Sequence, residues 1–593
     1  MPRSRRLQWI AVLTIFAIIY VGSLFSPALL DDADATHSEA AREMYRTGDW
    51  LTLHVNGIRY LEKAPLLYWS IAGSYHLFGV SEASTRLPLM LAMLFTVILA
   101  GDLARRAFGD QTGILSGLFV TTSIGFYLFT RIIIPEALLS LFIALSLYCF
   151  LRALNSSSRV AARWLWYGTY SSLALAVLTK GLLALVVMGG TVFLFLFVTG
   201  QWRRWREFRL GTGILLFLVI AAPWHLLAGI RNQGFFWFYF VNEHFLRFLG
   251  KRYPRDYNKL PAFAYWSLHL VWLFPWSIFI PVVIKNLFGR WRERRAKAQQ
   301  SWSFADQTRL LCFLWAAIVL VFFAFSTNQE YYTFPAYLPL IILAAEALIG
   351  ASERPSRWQT SGHIAVLILG CIVAGALSVG LWSSRNLPFQ PDVGAVLAER
   401  GIGSYTLSMS HFFDLTDASF AGLRMPATLA AIAFLAGPSS ALYLCLRRRP
   451  IAALWSIAGC AALFLFAAHL ALVRFEPFLS SRILARQILK VATPQDKFMI
   501  YGDQSYGSSW IYYLGRQVSL VNGRTTSMEF GSRFPDAAGI FLTDSDLVNN
   551  WNQGKRVFLF APLRNEGGLR ALLGNQIFRI AQTSANAVYS NQP

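Results

Sequence analysis

The sequence predicts a mostly α-helical, polytopic bundle crossing a lipid bilayer about thirteen times, completed by a small α/β domain outside the membrane. Three observations carry this: an apolar composition, a strict alternation of apolar runs with basic loops, and a change of texture near residue 473. Of the 593 residues, 55% are hydrophobic and only 14% charged, against roughly 25% charged in a soluble domain. The mean hydropathy is +0.45. Aromatic residues at 15% suit a chain with two water–lipid interfaces to anchor. The net charge of +22 sits in short clusters between apolar runs, which is the pattern of cytoplasmic loops and excludes nucleic acid as a partner. The cysteines (Cys149, Cys312, Cys371, Cys445, Cys460) lie inside apolar runs with no CxxC spacing, so neither a disulfide framework nor a thiolate metal site is expected.

Runs long enough to span occur near 8–28, 84–104, 112–130, 136–152, 165–179, 181–199 and 210–229. Further runs lie near 264–285, 308–325, 333–350, 362–382, 427–446 and 451–472. The first is too long for a signal-peptide core and reads as a retained helix. Every second loop is basic, from Arg3, Arg5 and Arg6 through Arg203–Arg209 and Arg290–Lys297 to Arg354, Arg357 and Arg447–Arg449. That side is expected to be cytoplasmic, with the N-terminus on it. The other side receives the loop 31–83, the turns near 131–136 and 180, the loop 230–263, the turn 326–332 and the segment 383–426. Residues 1–472 then form the transmembrane domain. Residues 473–593, with short β-like runs KFMIYG, QVSLVN, AGIFLT and RVFLFAP between turns, form the outer α/β domain.

The loop 31–83 concentrates scarce acidic residues: Asp31, Asp32, Asp34, Glu39, Glu43, Asp49 and Glu62. SEAAREMYRT within it reads as a helix stopped by Gly48, and Leu66–Phe78 as a second, both suited to lie along the membrane surface. Asp32 and Asp34 fit helix capping, yet three Asp in four positions repel unless a cation meets them. In the turn TRIIIPEA, Arg131 and Glu136 share the outer face, with Pro135 and Glu136 equally suited to starting a helix. Glu62 and Lys63 form a charged pair before Pro65, and Lys180 stands alone between two apolar runs, where a lipid phosphate is a natural partner. The aromatic segment Phe235–Tyr257 carries Glu243, His244, Arg247, Lys251 and Arg252, suited to an interfacial belt or to a greasy groove with phosphate-binding cations. Glu330, Tyr331 and Tyr332 follow on the same face.

Taken together, Asp34 with EAAREM, GDW, VNG, YLEKAPLLYW, LFGVSEASTRLP, LTKG, NEHFLRF and YYTFPAYLP resemble the ArnT-like and protein O-mannosyltransferase-like integral membrane glycosyltransferases of the GT-C class. The resemblance is strong over roughly 1–350. It implies transfer of a sugar from a polyprenyl-phosphate donor to lipid A, another glycolipid or a protein, at the periplasmic face of the bacterial inner membrane. It implies a first-loop catalytic carboxylate, Asp34 with Asp32 as the alternative, and Glu136 as the second acid. Lys63, Lys180 and Arg247 resemble the family's cations near the lipid phosphate, and Arg131 is expected to bind the donor phosphate with them. Glu62 and His244 resemble positions that bind a divalent metal (Zn, Mg or Mn). Ala64 stands where the family frequently has Pro. The competing reading is a lipid or solute transporter. Against it stand the absence of an inverted repeat and the gathering of charge on one face instead of at the midplane.

Overall fold

The computed structural model describes residues 3–255, 259–296, 301–353, 357–397, 414–524, 528–574 and 576–593. Tyr257, Lys297, Arg354 and part of the segment 383–426 lie outside them. All thirteen apolar runs fold as helices. Nine are long and apolar enough to cross a membrane, from Arg3–Leu24 to Pro450–Arg474, and two bent pairs bring the total to eleven among the described residues. The two remaining runs form Arg159–Lys180 and Leu183–Thr199.

The bent pairs are where the chain departs from straight spans. Asp110–Thr122 and Ile124–Arg131 meet at 54°, and Ala262–Trp272 and Trp276–Arg295 at 104°. Pro275, without an N–H, cannot continue the second helix. The first breaks at Ser123, whose backbone is extended. The breaks touch each other: Ile124 N donates to Phe274 O at 3.3 Å, so each supplies part of what the other lost.

Between the first two spans the acidic loop folds into a helix, a hairpin and a second helix. The loop helix runs Ala33–Thr47, five residues earlier than SEAAREMYRT suggests, so Asp32 is its N-cap and Asp34 sits in its first turn. It stops at Gly48, which takes φ +71°, a left-handed conformation that glycine adopts without a Cβ clash. A two-stranded hairpin, β1 (His54–Val55) and β2 (Ile58–Arg59), and the helix Leu66–Phe78 complete the loop. The hairpin was not legible in the sequence because each strand has only two residues.

The C-terminal region carries a six-stranded sheet of β3 (Lys497–Tyr501), β4 (Ser519–Val521), β5 (Phe541–Leu542), β6 (Val557–Pro562), β7 (Phe578–Gln582) and β8 (Asn586–Ser590). Its order is β5-β4-β3-β6-β8-β7. The first four strands in that order are parallel and the last two antiparallel. All six residues of β6 are buried, as suits a central strand paired on one edge with β3 and on the other with β8. The short helix Ser508–Leu514 follows β3 and packs on the loop helix.

Candidate active site

Glu136 opens the helix Glu136–Leu154 and Lys180 closes the helix Arg159–Lys180. Each charge sits at the helix end whose dipole favours it, and the two form an ion pair. Gly181 then turns the chain at φ +68°, and a Cβ there would collide with the His244 ring. A third element arrives from Trp237–Leu246, wound as a π-helix, a form common at functional sites. It delivers Glu243, His244 and, at its C-cap, Arg247.

These ends enclose a cavity of about 320 Å³ with walls from Leu183, Val186, Phe245, Phe248, Phe322 and Phe323. Lys63, Lys180 and Arg247 all line it, together with Glu62, Glu136, Glu243, His37 and His244. Each cation rests on an acid. Lys63 Nζ lies 3.1 Å from Glu62 Oε1, and Arg247 donates to Glu243 Oε2 at 3.0 Å. Arg252 joins the two acids, donating to Glu62 Oε2 at 2.5 Å and to Glu243 Oε1 at 2.7 Å. Tyr332 closes the group, accepting from Arg247 at 2.6 Å while its ring faces the Lys180 ammonium at 4.1 Å.

Electrostatics separate the acids. Burial alone would raise the Glu62 carboxyl, but Lys63 and Arg252 outweigh it and hold the group well below the usual carboxylate range. Glu243 moves the other way, raised by burial and by the charge of Glu62 against the pull of Arg252 and Arg247. His37 is pushed down to about 3, first by burial and then by the Lys63 charge, so its imidazole is neutral. Its Nδ1 lies 2.8 Å from the Tyr68 hydroxyl.

Of the remaining expected residues, Asp34 is buried behind the cavity wall. Its Oδ1 accepts from Ile133 N at 2.8 Å, just before the lining residues Ile134 and Glu136. Arg131 is also buried and outside the lining, donating to Ser26 O at 2.8 Å. Asp32 is exposed at the junction with the C-terminal region, its N–H donating to Ser508 Oγ at 2.7 Å. The structure therefore gathers Glu62, Lys63, Glu136, Lys180, His244 and Arg247, sets Asp34 and Arg131 one layer back, and leaves Asp32 outside.

Glu62 and His244 do not suit a metal as arranged. Glu62 is bonded to Tyr60, Lys63 and Arg252. Both His244 nitrogens are engaged: Nδ1 lies 2.6 Å from Tyr239 O, and Nε2 accepts from Leu182 N at 3.1 Å. Among the described residues no group of three or more His, Cys, Asp or Glu side chains is placed to hold an ion. Sequence reasoning passed over His37 and Arg86. His37 lies three positions after Asp34 on the loop helix, a spacing that puts both on one face. Arg86 donates to Leu24 O and Ala28 O at 3.0 and 3.2 Å, tying down the chain that leads to Asp34.

A multi-pass helical bundle of this kind, with an apolar-walled cavity lined by cations and acids, has the fold of the GT-C class of integral membrane glycosyltransferases. The chain is ArnT-like within that class. Residues 62–226 match the family model described as dolichyl-phosphate-mannose-protein mannosyltransferase. The chain is 29% identical over 397 residues to the undecaprenyl phosphate-alpha-4-amino-4-deoxy-L-arabinose arabinosyl transferase of Pseudomonas aeruginosa strain UCBPP-PA14, covering 66% of this chain and 68% of that one. It is 26% identical over 396 residues to the undecaprenyl phosphate-alpha-4-amino-4-deoxy-L-arabinose arabinosyl transferase 1 of Proteus mirabilis strain HI4320, covering 64% of this chain and 67% of that one. The fold is similar to the crystal structure of ArnT from Cupriavidus metallidurans bound to undecaprenyl phosphate, with a TM-score of 0.79 and 24% identity over 98% of this chain and 97% of that one.

Proposed function

We propose that the protein transfers a sugar from a polyprenyl-phosphate donor to an acceptor of the lipid A kind at the periplasmic face. The observation that carries this is the convergence of Lys63, Lys180 and Arg247 on one cavity with apolar walls. A polyprenyl phosphate has the matching form, an apolar tail ending in an anion. The names of the relatives make undecaprenyl phosphate-aminoarabinose the first donor to test.

In the reaction, an acceptor oxygen attacks the anomeric carbon while the bond from that carbon to the donor phosphate oxygen breaks, in one displacement with inversion. Negative charge grows on the departing polyprenyl phosphate, and the three cations meet it beside the apolar walls of the cavity. Arg247 contributes a planar fork matched to phosphate oxygens, and Lys63 and Lys180 contribute point charges. Glu136 is the carboxylate at the cavity that takes the proton of a hydroxyl acceptor or orients an acceptor that already carries charge. Asp34, the first-loop acid, holds the turn that presents Glu136.

Residues 1–472 form the transferase bundle and 473–593 the outer domain, with the N-terminus cytoplasmic. The basic cluster in every second loop supports this orientation. Purified protein in vesicles with labelled undecaprenyl phosphate-aminoarabinose and lipid A tests the reading. Labelled lipid A with release of undecaprenyl phosphate is the expected result. Movement of the intact donor between leaflets without transfer would replace it with the transporter reading.

A further inference from the structure

We infer that the C-terminal α/β domain is a positioning device for the active site, and that Asp31, Ser481 and Ser509 are the residues through which it acts. The link between the first span and the loop helix is bonded to this domain and its approach along residues 28–32. Ala28 N donates to Glu476 Oε2 at 3.1 Å, and Leu29 N to the Tyr513 hydroxyl at 2.8 Å. Leu29 O accepts from Ser480 Oγ at 2.7 Å, and Asp31 N donates to Leu479 O at 2.8 Å. The Asp31 carboxylate is held on both oxygens, by Ser509 N at 2.7 Å and by Ser481 Oγ at 2.8 Å. Asp32 N donates to Ser508 Oγ at 2.7 Å.

The domain makes this contact with the end of its sheet that such folds use for ligands. In open parallel sheets, ligands sit beyond the carboxyl ends of the strands, where the strand order reverses. Here the order reverses at β3, with β4 and β5 on one side and β6 on the other. The chain leaving the carboxyl end of β3 runs through Gly502 to Ser508 and Ser509, which hold Asp32 and Asp31. The catalytic loop occupies the place of a ligand.

The consequence reaches the cavity by a short path. Asp32 is fixed at φ +68° and ψ −113°, a conformation a non-glycine residue keeps only when its surroundings hold it there. Two residues on, Asp34 Oδ1 receives the N–H of Ile133, which leads into Ile134, Pro135 and Glu136 on the cavity wall. A shift of the 28–32 segment thus moves Asp34, then the turn 131–136, then the acid facing the donor. Displacements on the order of 1 Å cost about a hundredfold in rate when they fall on reacting groups.

This rests on the proposed transferase reading, and the test separates the two. Transfer kinetics are measured for Asp31→Ala, Ser481→Ala, Asp31→Asn and Asp34→Asn, each checked for a monodisperse detergent-solubilised form. The Asp31→Asn side chain keeps an acceptor for Ser509 N and offers its amide to Ser481 Oγ, so it is the conservative variant. Expected are a kcat lowered by about tenfold or more in Asp31→Ala and Ser481→Ala with the donor KM unchanged, and recovery to near the parent rate in Asp31→Asn. Amide hydrogen exchange over residues 28–35 rises in Asp31→Ala. A parent-like kcat in both alanine variants overturns the positioning role, as does a loss in which kcat and KM change together. If Asp31→Ala does not fold, Ser481→Ala and Asp31→Asn decide alone. No transfer by the parent protein, in contrast, overturns the transferase reading itself.

Discussion

At the scale of single residues, Lys180 and Glu136 show why a membrane-boundary cation is worth singling out. Glu136 is fully buried and its pairing with Lys180 is the interaction that compensates it. Lys180→Met strands that carboxylate. Thermal unfolding in detergent is expected to show a loss of about 3–5 kcal/mol, and transfer falls by about a hundredfold or more. The double variant Glu136→Gln/Lys180→Met removes both charges and regains most of the stability with none of the activity, which separates packing from chemistry. Arg247→Lys keeps the charge and loses the fork that reaches Glu243 and Tyr332. A raised donor KM in steady-state assays is the expected outcome.

Asp31 supplies a pH dependence. Burial lifts its carboxyl to about 7, against hydrogen bonds from Ser509 and Ser481 that pull it down, with the charge of Asp32 adding to the rise. The folded protein therefore keeps a proton that the unfolded chain releases near pH 4. The stability from this group is complete below about pH 4 and is lost as pH rises through about 7. Glu43, also raised to about 7 by burial and by Glu39, acts with the same sign. Melting temperatures measured from pH 4 to 8 should fall in the parent protein and fall less steeply in Asp31→Asn.

At the scale of elements, the site is made of ends and interruptions. Helix termini bring Glu136 and Lys180 together, a π-helical segment aims Glu243 and Arg247, and a glycine turn leaves room for His244. Gly181→Ala places a methyl group against the His244 ring and strains a backbone at φ +68°. It is expected to lower transfer more than it lowers the amount of folded protein, read by comparing specific activity with size-exclusion recovery. The bent pairs belong to the same theme, since the reversal at Pro275 supports the break at Ser123 through the bond from Ile124 N to Phe274 O.

At the scale of the whole molecule, the helical bundle and the C-terminal sheet region are bonded along residues 28–32 and again at Asn56–Val518, Tyr253–Glu529 and Asp392–Ser584. The proposed orientation predicts that an alkaline phosphatase fused after Pro593 is active and a green fluorescent protein fused there is dark. The reverse result would invert the bundle.

Much of this architecture was legible because it follows from solvent. Runs of about twenty apolar residues have to be helical in a bilayer, where backbone groups find no water, and every such run is helical, two of them as bent pairs. The pattern Val-Phe-Leu-Phe-Ala-Pro announced β6, since a strand buried on both faces is apolar throughout. The hairpin of β7 and β8 escaped because its exposed and buried positions do not alternate in β7 and are all buried in β8. The sequence by itself determined the helical bundle, the C-terminal α/β texture and the cations Lys63, Lys180 and Arg247 that line the cavity, because charge stranded among apolar residues is a local signal. Only the tertiary structure decided which carboxylates meet those cations, that Asp34 stands behind the wall and Asp32 outside it, and that Asp31 is held by Ser481 and Ser509. Those pairings join residues up to hundreds of positions apart, and nothing in a local pattern encodes a partner that only folding brings near.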